Sequence, residues 1–497
     1  MYSFEEETWD SADDESPIPT DPQTSPPHFA AIPYTPSLFD DLPVELVASI
    51  FSHLSRSTAA NDQEHSKIAL LLSSVSKRFR SIAAITSDLW TTIVIPPLNK
   101  SIEHVPKYVA RSATLPLDVI INLLPLVPAY QRRGVFKKRL SSLEPERHRW
   151  STLHLHFPKQ WKDISSVLPD ELPNLKDFRI ECEGLGWGVM MCTTTAQRLT
   201  RLETVCVNLD WQNISWGSLE ELQVNYVNCD EEYWQAFLET IRLNVQLRVF
   251  KIKALRKEGQ THHHALPTPP IVLPNLHTLH VTKMISGNLV GQLLAILDAP
   301  RLRELVISGA GHQTSAEWSF QATPFHFPAL ERLLLRDIPG AVQVVRQSLQ
   351  WAPSVKHFAI ISRGQASSAC GPILRGLVKP ENTYQLRLES LTTRGIQPHG
   401  IKIPLEEGRL GVVSQALVIN IHIDDIALDG WAKEDEFEDM ERAMAWLKKH
   451  VTVKLWGQPS GTRYRTWDAV QRRAWKEHED AGSAGILQSV WPLGILR

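Results

Sequence analysis

One short phrase, returning along the chain, constrains this protein more than any other feature. It reads Leu172-Pro173-Asn174-Leu175-Lys176-Asp177-Phe178-Arg179-Ile180 and then Leu273-Pro274-Asn275-Leu276-His277-Thr278-Leu279-His280-Val281. It returns as Ala299-Pro300-Arg301-Leu302-Arg303-Glu304-Leu305-Val306-Ile307, as Phe327 to Leu335 and as Ala352 to Ile360. Degenerate copies occupy Leu199 to Val207, Ser218 to Val224 and Gln246 to Ile252. The shared pattern is P-x-L-x-x-L-x-I, at steps of about 25 to 29 residues with one short step near Leu219. Its alternating end predicts one short strand per unit. A single such strand cannot bury its own leucines, so neighbouring units must stack and share a core.

That period belongs to leucine-rich repeats. The asparagine that closes many such repeats is not regularly placed here, so the units are irregular. A strand over Ser151 to Phe157 precedes them, and weaker strands over Tyr384 to Leu391 and Ala416 to Ile423 follow. Helical or irregular returns are expected at Asp230 to Leu243, Gly291 to Leu297 and Gly340 to Trp351. Beyond Asp424 the composition shifts. Phe437, Met440, Met444, Leu447 and Val451 form a helical stripe within Glu434 to His450, and Trp467, Val470 and Trp475 suggest another helix. This tail would cover the open end of a repeat stack.

Upstream lies a different unit. Residues 1–37 combine acids (Glu5, Glu6, Glu7) with Pro17, Pro19, Pro22, Pro26, Pro27, Pro33 and Pro36, a composition expected to stay disordered. Ser16-Pro17, Ser25-Pro26 and Thr35-Pro36 would suit proline-directed phosphorylation. From Leu38 apolar periodicity begins. Asp41 is placed to cap a helix starting near Pro43, with Leu46, Ile50 and Leu54 on one face and Val47 and Phe51 alongside. Ser55 to Ser66 reads as a polar loop or a frayed helix end. Ile68 to Ile85 reads as a second helical region, with Leu71, Leu72, Val75, Phe79 and Ile82 at 3/4 spacing. Leu89-Trp90 follows as an apolar anchor, and Thr91 to Ile95 as a strand stopped by Pro96-Pro97. A helix over Val105 to Ala113 and a strand over Leu117 to Leu123 come next. This unit holds more apolar side chains than two short helices can hide from each other, so part of its surface should be covered by a partner.

Leu42-Pro43-x-Glu45-Leu46, Ile50-Phe51-x-x-Leu54, Val75-Ser76-Lys77-Arg78-Phe79-Arg80 and Leu89-Trp90, in that order and spacing, resemble an F-box, particularly those of large fungal families. Two departures stand out: the Ser55 to Ser66 loop is longer than usual, and Phe79 sits where many members have tryptophan. Together with the repeat and the helical tail, the resemblance gives an expected α/β chain: a small helical F-box (38–95), an irregular leucine-rich-repeat-like solenoid (96–425) and a helical C-terminal cap (426–497). It implies docking on a Skp-family adaptor, and through it a cullin, with the repeats holding a protein substrate. Leu42, Pro43, Leu46, Ile50, Phe51, Leu54, Val75, Phe79 and Trp90 would then divide between adaptor contact and hairpin core. The implied role is the substrate receptor of a ubiquitin ligase, with no covalent chemistry of its own. A non-ligase scaffold that keeps the F-box, and an enzyme with a site hidden between 150 and 425, are the alternatives.

The remaining features exclude more than they assign. Net charge is −3, which argues against a dedicated nucleic-acid surface. No apolar run is long enough to span a bilayer, and the acidic N-terminus is neither a secretory signal nor a transit peptide. Cys182, Cys192, Cys206, Cys229 and Cys370 have no paired spacing and read as reduced thiols of an intracellular protein, cytoplasmic or nuclear. The sequon Asn213-Ile214-Ser215 is then a chance match. His262-His263-His264, beside Pro267, Pro269 and Pro270, is a loop rather than a metal site, because adjacent side chains cannot converge on one ion. Gly184-Leu185-Gly186-Trp187-Gly188 lacks dinucleotide-loop spacing, and Gly309 to Thr314 lacks the lysine of a phosphate loop. Arg132, Arg133, Lys137, Lys138 and Arg139 read as a solvated helix face. No catalytic motif, cofactor site or metal site is expected.

Overall fold

A computed structural model gives the fold. It describes residues 41–57, 62–95, 102–122, 137–158, 168–183, 189–256, 270–309, 327–338, 352–361, 388–394, 402, 418–422, 442–449 and 452–456, with short breaks inside some of these spans. The expectations for the N-terminal tail, the histidine triplet, the Gly184 and Gly309 loops beyond Gly309, and the Trp467 helix lie outside the described residues.

Three helices come first: α1 (Val44–Ser57), α2 (Asp62–Val75) and α3 (Lys77–Ile85). Helix α1 starts one residue after the proline, whose carbonyl accepts the amides of Leu46 and Val47 at 3.1 and 3.2 Å. The region from Ile68 to Ile85 is two helices, not one. Ser76 adopts an extended conformation and its hydroxyl accepts the Phe79 amide at 3.0 Å, so it ends α2 and caps α3. The expected loop shrinks correspondingly, because α1 runs through Ser57 and α2 begins at Asp62. Polar residues at helix ends carry no periodic signal, which is why those turns read as loop. A 3-10 turn, Ser87–Trp90, leads into β1 (Thr92–Ile95), then α4 (Val105–Arg111) and β2 (Leu117–Asn122).

Among the described residues a 14-stranded sheet runs from β1 at Thr92 to a last strand ending at Trp456. Its later strands are β3 (Trp150–Pro158), β4 (Asp177–Glu183), β5 (Arg201–Val205), β6 (Glu221–Val224), β7 (Val249–Lys253), β8 (Thr278–Met284) and β9 (Glu304–Gly309). The series ends with β10 (Arg332–Arg336), β11 (His357–Ile361), β12 (Ser390–Arg394), β13 (Val418–His422) and β14 (Thr452–Trp456). Strand order equals chain order, and neighbouring strands pair in parallel. Helices α5 (Glu231–Leu243) and α6 (Gly287–Ile296) lie in two of the return segments. Strand β12 (Ser390–Arg394) overlaps the expected Tyr384–Leu391 segment only at its last two residues, and β14 lies in the tail expected to be helical. Residues 442–443 and 445–449 of that tail are helical.

Backbone bonds explain the recurring phrase. The amides of Leu175, Leu199, Leu247, Leu276, Leu302, Leu330 and Val355 each donate to the carbonyl three residues back, at 3.0–3.2 Å. That tight turn suits the proline at its second position in most copies. The carbonyls of Lys176, Thr200, Glu220, Arg248, His277, Arg303, Glu331 and Lys356 then each accept two consecutive amides from the next unit, at 2.7–3.1 Å. The strands from β5 to β12 are therefore each launched in register by the preceding unit. Positions of the phrase stack in one continuous core: Leu172, Leu175, Phe178 and Ile180 are buried, as are Leu273, Leu276, Leu279 and Val281, and Phe327, Leu330, Leu333 and Leu335. In one unit Asn244 stands at the first position, fully buried. Its side chain accepts the Leu219 amide at 2.8 Å and donates to the Thr240 carbonyl at 2.7 Å, doing for a neighbouring turn what apolar packing does elsewhere.

Truncating one core position should be felt strongly, since the lost transfer energy and the cavity add. Phe250→Ala is expected to cost about 3–5 kcal/mol in denaturant unfolding, whereas Lys251→Ala beside it, with a half-open side chain, should cost less than about 1 kcal/mol.

Candidate functional site

Trp90 ties the helical unit to the sheet. Its ring is fully buried, its Nε1 donates to the Ala83 carbonyl at 2.7 Å, and it meets Tyr108 edge-on at 4.9 Å between centroids. The Arg111 guanidinium sits 4.3 Å over the indole. Burial pushes the Tyr108 hydroxyl up to about 12, with Arg111 pulling the other way. The next residue, Thr91, accepts the Asp118 amide at 3.0 Å and so opens the β1–β2 ladder. Helix α2 packs on β1, and Val47, Phe51, Ala69, Ile82 and Leu89 belong to the same core as the repeat leucines. The helical unit is thus one continuous piece with the sheet.

Within that unit the residues marked by sequence separate into two sets. Phe51 and Trp90 are buried, and Phe51 meets Phe79 edge-on at 5.1 Å, with Phe79 and Leu42 partly buried against the core. Pro43 is exposed at the start of α1. Leu46, Ile50, Leu54 and Val75 face outward, at 52, 44, 43 and 65% exposure. Sequence reasoning left out Val44, Leu70 and Ile85, which are equally open, and placed Leu71, 63% exposed, on a buried face. Helical spacing could have found Leu71 with Val75, one turn apart on the same outward side of α2. So many large apolar side chains open on three short helices exceed the scattered ones of an ordinary surface. Arg78 ties α3 back to the start of α1 by donating to the Leu42 carbonyl.

The sheet face opposite the core is the second candidate surface, and it divides in two. Over β4 to β7 it is charged. Arg179 lies 3.3 Å from Glu181 and 3.9 Å from Glu203, while Arg201 reaches Asp177, Glu203 and Glu221 at 3.6–3.7 Å. Burial holds the Asp177 carboxyl above its ordinary range; Arg201 and His154 oppose that, while Glu203 and Glu221 add to it. Over β9 to β11 the same face turns apolar, with Val306, Leu334, Ala359 and Ile361 forming a buried cluster separate from the main core. A polar row borders it. His280 Nε2 lies 2.8 Å from Glu304, Glu304 lies 2.9 Å from Arg332, and His357 Nδ1 lies 2.9 Å from the Ser390 hydroxyl. Burial pushes the Glu304 carboxyl up, but the His280 hydrogen bond and the charges of His280, Arg332 and Lys251 outweigh it, leaving a net shift downward. Burial holds the His357 imidazole below its ordinary value, reinforced by Arg332 and Lys356 and opposed by Glu389 and Glu331.

Among the described residues no group of histidine, cysteine, aspartate or glutamate is arranged to hold a metal ion, and no helix is long and apolar enough to cross a membrane. Cys182 and Cys192 are buried and Cys206 is partly buried. Lys137, Lys138 and Arg139 of the basic run lie in a helical turn, with Arg139 buried.

Comparison with known families separates the two candidate surfaces. Residues 39–96 match the F-box-like family. The match covers the three helices, the Trp90 turn and β1, and stops before α4, β2 and the repeated phrase. The exposed patch on α1 to α3 is therefore the outer face of an F-box-like unit. A search of characterised proteins with the chain finds no match.

The Trp90 junction is tested by Trp90→Phe, which removes the indole donor and part of the buried ring: it should destabilise by about 2–4 kcal/mol in denaturant unfolding, because the Ala83 carbonyl loses its buried donor and a cavity opens. The His357 shift makes a prediction about pH. The unfolded imidazole takes up a proton near its ordinary value while the folded one still resists, so stability is lost as pH falls below about 6.5. The melting temperature should drop between pH 7 and 5.5, and His357→Gln should flatten that slope.

Proposed function

We propose that this chain is the substrate-receptor subunit of a Skp–cullin–F-box type ubiquitin ligase. Helices α1 to α3 dock a Skp-family adaptor, and through it a cullin. The parallel sheet and its returns act as an irregular leucine-rich-repeat-like solenoid that holds a protein substrate. The observation that carries this reading is the set of large apolar side chains left open on an F-box-like unit whose own core is already closed by Phe51, Phe79 and Trp90. Adaptor contact falls to Leu46, Ile50, Leu54 and Val75, with Pro43, Leu70 and Leu71 around them. Phe51, Phe79, Leu42 and Trp90 act indirectly, by holding the helices in place.

Such a receptor performs no covalent step. It raises the effective concentration of substrate lysines near the ubiquitin-loaded enzyme. A rigid junction matters for that task, because a floppy one would spread the substrate over a larger volume. Trp90, bonded to Ala83 and stacked under Arg111, supports that rigidity. The cytoplasm or nucleus is where the partners of this reading reside.

The test is binding of the purified chain to a recombinant Skp-family adaptor. Leu46→Ala with Ile50→Ala should weaken binding by about 100-fold or more, as for central apolar hot spots, without lowering the melting temperature, since both side chains are open in the free chain. Unchanged adaptor affinity in that variant would refute the docking reading.

A further inference from the structure

The open face of the helical unit has a charge that apolar docking alone does not explain. Between positions 67 and 87 the chain carries Lys67, Lys77, Arg78 and Arg80 and no carboxylate. Two of these are engaged with backbone: Arg78 donates to the Leu42 carbonyl, and Arg80 Nε to the Ser73 carbonyl at 3.0 Å. Lys67 and Lys77 are exposed. Lys67, Leu71 and Val75 succeed one another at four-residue steps, so they share one side of α2, and Lys77 follows directly at the start of α3. The two lysines thus bracket the most exposed part of the apolar patch. The first turn of α3 holds no acid, although it is the end where the helix dipole favours carboxylates. Cations stacked on that end repel it and each other. This arrangement weakens the isolated helix, and carboxylates set opposite the two lysines would offset it, in addition to the chain's own Glu45 on α1.

We propose that the partner docking on α1 to α3 does so through an apolar stripe bordered by carboxylates, set opposite Lys67 and Lys77, and that these two lysines steer its approach. The proposal rests on the docking reading above and adds the chemistry of the partner's rim. A protein surface is favoured over a lipid or nucleic-acid one because the centre of the patch is apolar and the cations stand at its edge, as at a protein interface with a dry core and a charged rim.

The experiment uses the full chain and a purified recombinant Skp-family adaptor, with association rates followed as a function of salt. The rate for the unmodified chain should fall steeply as salt rises. Lys67→Glu with Lys77→Glu should slow association about 10-fold or more at low salt, with dissociation little changed, and the two proteins should converge near 0.5 M salt, where screening removes the difference. Lys67→Gln with Lys77→Gln should show a smaller effect of the same sign. Melting temperatures of these variants should equal that of the unmodified chain or exceed it. If the glutamate variant associates normally at every salt concentration while Leu46→Ala with Ile50→Ala abolishes binding, the charged rim is refuted and the docking reading stands. If both variants bind as the unmodified chain does, both readings fail. Loss of binding to phosphatidylserine vesicles in the glutamate variant, with adaptor association untouched, would also overturn the proposal by assigning the lysines to a membrane surface.

Discussion

Each unit of the repeated segment depends on the one before it. A carbonyl such as that of Arg248 accepts two consecutive amides, His277 and Thr278, from the following unit, and so fixes where the next strand starts. Once that register is set, every second side chain must enter the core, and the phrase supplies Leu276, Leu279 and Val281 there. Shifting one strand by a single residue would turn its apolar set outward. The helical returns are free to differ, as α5 and α6 do in length and composition, because the strand ladder already carries the order.

The same core extends into the helical unit without a break. Val47 and Phe51 on α1 are part of the cluster that contains Leu302 and Phe358 far along the sheet. Trp90 is the joint, since its indole reaches back to α3 while Thr91 starts the first ladder. A chain built this way has no slack between its helical unit and its sheet. Orientation of one sets orientation of the other.

The opposite sheet face shows how one backbone can carry two surfaces. Alternation places Arg179, Arg201 and Lys251 on it in the first half and Val306, Leu334 and Ala359 in the second. The ion pairs over β4 to β6 are partly open and contribute little to stability individually. The apolar half is buried and adds a second, smaller core. The phrase that defines the repeat does not specify these outward positions, so they are the places where sequence was free to vary.

Much of this organisation follows from the sequence alone, because apolar periodicity is set by burial and burial acts on each unit locally. The strands from β4 to β11, the short span of β1, the α5 return and the aromatic anchor at Trp90 are all legible that way. Other features arise only when distant residues meet. The break at Ser76 depends on one hydroxyl reaching one amide, and a lone serine in an apolar stretch does not announce it. The strand at Thr452–Trp456 exists because β13 offers it an edge, although its neighbours read as helix. Above all, Leu46, Phe51, Val75 and Trp90 look alike as apolar letters. Whether such a side chain closes a core or waits for a partner depends on which helix, turn or strand covers it, and only the tertiary packing decides that: it hides Phe51 and Trp90 and leaves Leu46 and Val75 in water.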